Sequence, residues 1–113
     1  MANKKNKRWH GRKRGPKWAN YVFVRVKLRN PRVKSLGIWN CRPIAGSSTW
    51  SQHSWGNAVD IGVPSLAYGD QVRNYLNRHK RFNIEHLLWR VENHYDHIHI
   101  DFRPNYTGKP PCA

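Results

Sequence analysis

Residues 51–62, SQHSWGNAVDIG, pass from a polar turn into a short apolar strand and set His53 and Asp60 seven residues apart. Gly56 and Ala58 stand between them, small enough for a ligand-bearing loop to run close under a shared centre before it enters the strand. Residues 58–63, AVDIGV, read as a short buried strand that stops at Pro64. Imidazole and carboxylate are ordinary zinc donors. A catalytic zinc site, however, takes three protein donors and leaves its fourth position to water. A third donor has to come from elsewhere in the chain.

The second histidine-rich stretch, HYDHIHIDF at 94–102, is the obvious source. Four of the seven histidines fall in these two stretches: His53, His94, His97 and His99. On a strand, residues two apart share a face, so His97, His99 and Asp101 point one way and Asp96, Ile98 and Ile100 the other. His53, Asp60 and one of the pair His97/His99 would make a His₂Asp donor set.

The rest of the chain reads as one α+β domain with a small antiparallel sheet. Val22, Val24, Val26 and Leu28 alternate with Phe23, Arg25 and Lys27, which predicts a strand from Tyr21, with a helix as the competing reading. NPR at 30–32 is a turn, and 33–39 is extended. Asp70 opens a helix, with Val72, Tyr75, Leu76 and His79 on one face. IEHLLWRV at 84–91 is a further strand.

Charge is the dominant compositional feature. There are 21 Lys and Arg against 6 Asp and Glu, a formal net charge of +15. Eight of the 21 lie in residues 1–17, which carry no apolar periodicity and are expected to be a loosely attached basic arm ahead of a single domain at 18–113. Such an arm suits an anionic polymer, though charge alone does not say which one. No stretch is apolar for long enough to span a membrane. The cationic start lacks the apolar segment of a Sec signal, so no export signal is expected. Cys41 and Cys112 allow one intramolecular disulfide. With nothing to mark an oxidising compartment, two free thiols are the expectation.

SQHSWGNAVDIG resembles the SxHxxGxAxD motif of the peptidase M15 family, zinc D,D-carboxypeptidases and L-alanyl-D-glutamate endopeptidases that cut peptidoglycan peptides. HYDHIHIDF is similar to that family's second motif, an acidic residue three positions before the last ligand histidine. The likeness covers about residues 37–102. It implies that His53, Asp60 and His99 hold one Zn²⁺ and that the fold is the hedgehog/DD-peptidase type, an antiparallel sheet flanked by helices. It also implies that Asp96 is the general base. Related metallopeptidases use the first histidine of an HxH pair, here His97, so both are candidates. Asp96 is preferred, and His94 and His97 then become candidates for contacts to substrate or transition state. WNCRPIAGSS at 39–48 resembles the family's arginine-bearing segment, which makes Arg42 the candidate for holding the scissile carbonyl and its developing negative charge. Ser51 matches the motif serine and is a candidate for bonding substrate or ligand.

The function expected from this resemblance is zinc-dependent hydrolysis of peptidoglycan stem peptides. A monomeric bacteriophage endolysin, made without a Sec signal and released to the wall by a holin, fits a bare domain with a basic arm that adsorbs to anionic wall polymers. L-alanyl-D-glutamate endopeptidase action is favoured over D-Ala-D-Ala carboxypeptidase action, because trimming terminal D-Ala leaves cross-links intact. A nucleic-acid-binding module would use the same arm but gives no reason for the two His/Asp clusters. DHIH comes too late for an HNH nuclease. A non-catalytic zinc domain would need neither Asp96 nor Arg42.

Overall fold

The computed structural model describes residues 13–113. Helix α1 (Pro16–Arg29) leads into strand β1 (Lys34–Gly37), followed by a long loop and a 3-10 turn at Gln52–Trp55. Strand β2 (Ala58–Gly62) and helix α2 (Leu66–Arg78) come next. A second 3-10 turn at Lys80–Phe82 precedes strands β3 (Ile84–Leu88) and β4 (His97–Phe102). The four strands form one antiparallel sheet in the order β1-β2-β4-β3. The α+β class and the antiparallel sheet are as the sequence predicts.

The segment expected to be a strand from Tyr21 is α1. Val22 and Val26 satisfy a period of two and a period of 3.6 alike, so the alternation is ambiguous at the residues that matter. Trp18, Ala19, Val22 and Val26 are the buried residues of this helix. That spacing is one helical stripe, and its first two members precede the apparent strand. Val24 and Leu28, which a strand would bury, are 46% and 70% exposed. Pro16 in the first turn and Lys27 and Arg29 in the last suit helix termini and the helix dipole. At the far end, the buried Asn30 amide donates to the Val26 carbonyl at 3.0 Å.

Helix α2 starts four residues before Asp70, because the Ser65 side chain caps it by accepting from the Tyr68 backbone N–H. Asp70 lies inside the helix, where its carboxylate accepts from Trp89 Nε1 at 2.9 Å and from two nitrogens of Arg90. A side chain at Gly69 would run into the Trp89 indole. Glycine there lets the indole lie against the helix.

One face of the sheet supplies Val59, Ile61, Ile98, Ile100 and Phe102 to a core shared with Trp18, Val22 and Val26 of α1 and Val72, Tyr75 and Leu76 of α2. The other face carries Asp60, His97, His99 and Asp101, as period-2 alternation requires. Register places Asp60 directly opposite His99, and His97 opposite Gly62.

Of the basic arm expected at 1–17, residues 1–12 lie outside the described residues. Residues 13–17 belong to the folded domain. The Lys13 carbonyl accepts from the Asn83 amide, the Gly15 N–H donates to Asn57 Oδ1 at 2.8 Å, and the Arg14 guanidinium lies 3.9 Å from the Tyr106 ring centre. The C-terminal segment is tied in from the other side. Gln52 both donates to the Tyr106 carbonyl and accepts from its N–H, at 2.9 Å each.

The two cysteines are not free. Cys41 and Cys112 form a disulfide across 71 residues, joining the tail to the loop after β1. The expectation of free thiols came from compartment reasoning, whereas the fold brings the two α-carbons to 6.2 Å, within bridging distance. Among the described residues, no helix is long and apolar enough to cross a membrane.

Candidate metal centre

His53 is held by the 3-10 turn that precedes β2. Ser51 caps this turn, its hydroxyl oxygen accepting from the His53 backbone N–H at 3.2 Å. Gly56 closes it with a left-handed φ of 67°. A β-carbon at Gly56 would also meet the Trp39 ring at 2.9 Å and Pro16 at 3.0 Å. Glycine is therefore required here twice, for its backbone angle and for space. The turn drives the His53 ring inward until the residue is 1% exposed. There Nδ1–H donates to the Ile38 carbonyl at 2.8 Å.

A carbonyl can only accept, so the Ile38 bond puts the His53 proton on Nδ1 and leaves a lone pair on Nε2. That Nε2 is buried and has no hydrogen-bond partner. It approaches Asp60 Oδ1 at 3.2 Å, a close contact between two electron-rich atoms. A buried nitrogen without a donor is costly. A cation between the two atoms turns the same geometry from unfavourable to favourable.

His99 completes the group from the opposite strand. Its Nδ1 lies 3.2 Å from the same Asp60 Oδ1, and its Nε2–H donates to Asp101 Oδ2 at 2.9 Å. Donor atoms of His53, Asp60 and His99 all lie within 4.8 Å of one another, so these residues form a group that can hold a metal ion. The donor set fits a cation, and the orphaned His53 nitrogen calls for one. Burial works against charge on Asp60, but a proton donated by a neighbouring imidazole outweighs it and holds the carboxyl below its usual range; with the His53 proton on Nδ1, that donor is His99, 3.2 Å away. Burial likewise opposes charge on His99, yet Asp101 and Asp60 push its pKa up to about 9.

A family model described as VldE, C-terminal domain, matches residues 18–97. The chain belongs to that family. No curated protein and no solved structure matches it. The matched span contains His53, Asp60, Asp96 and His97, while His99 and Asp101 lie just past its end.

Asp101 is a residue of the cluster to which sequence reading gave no role. It is 5% exposed. Besides His99, it accepts from the His86 backbone N–H, from His86 Nδ1 at 2.9 Å and from the Asn105 amide. A carboxylate behind a ligand imidazole fixes which ring nitrogen faces the metal and makes that nitrogen more basic. Its signal was present in the alternation of HIHID, which puts Asp101 on the His99 face.

Asp96 falls just before β4, with its side chain 88% exposed and Oδ1 2.8 Å from His97 Nδ1. The two candidate bases are therefore joined, and their bond lowers the Asp96 pKa. His97 lies on the same face of β4 as His99. The half-buried His94 ring is centred 4.8 Å from that of His97 and 6.2 Å from that of His99, so three imidazoles line one edge of the candidate centre. Arg42 is placed beside the His53 turn by its backbone. Its N–H donates to Ser54 Oγ, and its carbonyl accepts from Ser51 N–H at 2.9 Å. The Arg42 guanidinium is exposed and meets no described hydrogen-bonding or ionic partner. Ser51 is buried, and its hydroxyl oxygen accepts from the backbone N–H of His53.

Proposed function

We propose that this domain is a zinc-dependent peptidase of bacterial peptidoglycan stem peptides, of the M15 type its two motifs resemble. The observation that carries the reading is the buried His53 Nε2, unpartnered among the described residues and facing Asp60, with His99 across from it, the Asp96–His97 pair at the start of the neighbouring strand and the Arg42 backbone beside the His53 turn. Two imidazoles and one carboxylate suit Zn²⁺ and leave a coordination position for water. His53, Asp60 and His99 would hold the zinc, which would supply an acidified water and polarise the scissile carbonyl.

The chain's own residues would do the rest. The Asp96–His97 pair takes a proton as the water oxygen bonds to the scissile carbonyl carbon, and returns it to the leaving amine as the C–N bond breaks. Arg42, whose guanidinium meets no partner among the described residues, would hold the carbonyl oxygen as negative charge develops on it. Asp101 keeps His99 in one orientation. A wall-degrading phage enzyme, monomeric and drawn to anionic wall polymers by its +15 charge, is the biological setting we favour.

The test is digestion of purified peptidoglycan by zinc-loaded and chelator-treated protein, with mass spectrometry of the new termini. Zinc-dependent L-Ala carboxyls paired with D-Glu amines are the expected products. Release of D-Ala alone would assign carboxypeptidase action instead, and no product from any wall type would sink the peptidase reading. Asp96→Ala should keep its zinc and lose turnover. Full activity of that variant beside a dead His97→Ala would move the base to His97.

A further inference from the structure

The C-terminal turns of α1 and α2 leave between them a pocket of about 540 Å³, lined by Arg29, Asn30, Gln71, Asn74 and Arg78, with Tyr75 and His79. Its volume is in the range of small-ligand sites. It belongs to the helical layer, whereas the metal donors stand on the opposite face of the sheet. Nothing in the hydrolytic reading uses it.

Three features of the pocket point to one ligand chemistry. The first is uncompensated charge. No acidic residue lines the pocket, and neither the Arg29 nor the Arg78 guanidinium meets a partner among the described residues. The acid next to Gln71 in sequence, Asp70, is spent on Arg90, Trp89 and Arg73. All six acidic residues of the chain lie between Asp60 and Asp101, so α1 has no carboxylate to offer. Two guanidiniums of this kind match a phosphate, whose oxygens accept in pairs from the planar fork.

The second feature is an amide pair that is half used. Gln71 Nε2 donates to Asn30 Oδ1 at 2.9 Å, which leaves Gln71 Oε1 to accept. Asn74 Oδ1 accepts from Arg73 Nε at 2.9 Å, which leaves the Asn74 amide N–H to donate. A free acceptor beside a free donor suits hydroxyl groups, which do both. The third feature is rigidity. Asn30 is buried and bonded at both ends of its amide, and the Tyr75 ring packs 4.1 Å from His79.

We propose that this pocket binds a phosphorylated polyol or sugar, with Arg29 and Arg78 on the phosphate and Gln71 and Asn74 on the hydroxyls. A nucleic-acid strand is the less suited polyanion. It needs a basic groove with open aromatic faces for its bases, and Tyr75 is buried against its neighbours.

Glycerol 3-phosphate, inorganic phosphate, glycerol and a short DNA duplex are titrated into the full chain by calorimetry at about 0.15 M salt, where the general field of a basic protein is screened beyond ~8 Å. Glycerol 3-phosphate should bind more tightly than inorganic phosphate, and glycerol should not bind. The double variant R29Q/R78Q should weaken glycerol 3-phosphate by at least about tenfold. Asn74→Leu, which changes no charge, should weaken it by about three- to tenfold. A charge-matched control, K17Q/K109Q, should change it less than about twofold. Equal losses in the pocket and control variants would reduce the binding to net charge and overturn the assignment. So would an Asn74→Leu variant that binds as the parent does, or a DNA duplex that outcompetes glycerol 3-phosphate and is weakened equally by R29Q/R78Q. Cell-wall digestion is not a readout here, so failure of the peptidase reading leaves these outcomes intact.

Discussion

The two faces of the sheet are built from the same strands and have opposite chemistry. On β4, Ile98, Ile100 and Phe102 enter the core against α1 and α2, while His97, His99 and Asp101 stand on the other side. Burial on the first face is bought with apolar area. On the second face buried polar groups have to find partners, and they find them in each other: His99 with Asp60 and Asp101, Asp101 with His86 and Asn105. The exception is His53 Nε2, the one buried side-chain nitrogen or oxygen among the described residues with no hydrogen-bond partner. The core face holds strand register, and register in turn sets Asp60 opposite His99. Damage to one face should therefore read out as stability, and damage to the other as metal binding.

The largest expected effect is on the metal face. His53→Ala or Asp60→Asn should lower metal affinity by more than ~100-fold, beyond the range seen when supporting residues are lost. Circular dichroism of either variant in chelator should still report a folded domain. If both variants bind zinc as tightly as the parent by competition with a chromophoric chelator, the centre is elsewhere.

On the core face, Ile100→Ala should destabilise the domain by about 2–5 kcal/mol in urea unfolding, because the side chain is fully buried and the cavity cannot close. The surviving folded fraction should bind metal normally. A normal denaturation midpoint with weakened metal binding would reverse the roles assigned to the faces.

Asp101→Asn lies between these extremes. It keeps the shape but loses the charge that makes His99 a better donor, so a ~10- to 100-fold loss of metal affinity is expected, without the loss of fold seen for Ile100→Ala. An unchanged affinity would reduce Asp101 to a structural acceptor.

The smallest effect belongs to neither face. The Arg90 guanidinium, then the Trp89 indole, hold the Asp70 pKa down to about 2, against a partial loss of hydration that would raise it. A carboxylate depressed in the folded state contributes stability above its unfolded pKa, and that contribution is lost as pH falls toward the folded value. Melting temperature should thus fall between about pH 4 and pH 2 slightly more steeply in the parent than in Asp70→Asn. The pair is exposed, so the difference should be small. Identical acid profiles would show that the pair adds nothing measurable.

Much of the candidate site was legible because strand alternation is a local code. HIHIDF states by itself which residues share a face, and SQHSWGNAVDIG names a candidate ligand histidine, the glycine that closes its turn and the strand carboxylate. What alternation cannot report is what stands behind a ligand. Asp101 needed the fold to reveal that its carboxylate meets His99 Nε2, and Ser51 to reveal that its hydroxyl caps the turn. The strand expected from Tyr21 failed for a related reason. Val22 and Val26 fit both periods, and the choice fell to whether Trp18 and Ala19 had a core to enter.

The sequence by itself determined the net charge, the antiparallel α+β class, and the identity and approximate spacing of the candidate donors, since all of these are carried by composition or by neighbours along the chain. Only the tertiary structure decided that α1 is a helix, that Cys41 reaches Cys112, and that the Ile38 carbonyl turns His53 Nε2 toward Asp60. Each of these depends on residues brought together from distant parts of the chain, and the energy that selects among local alternatives is the burial and pairing they gain on meeting.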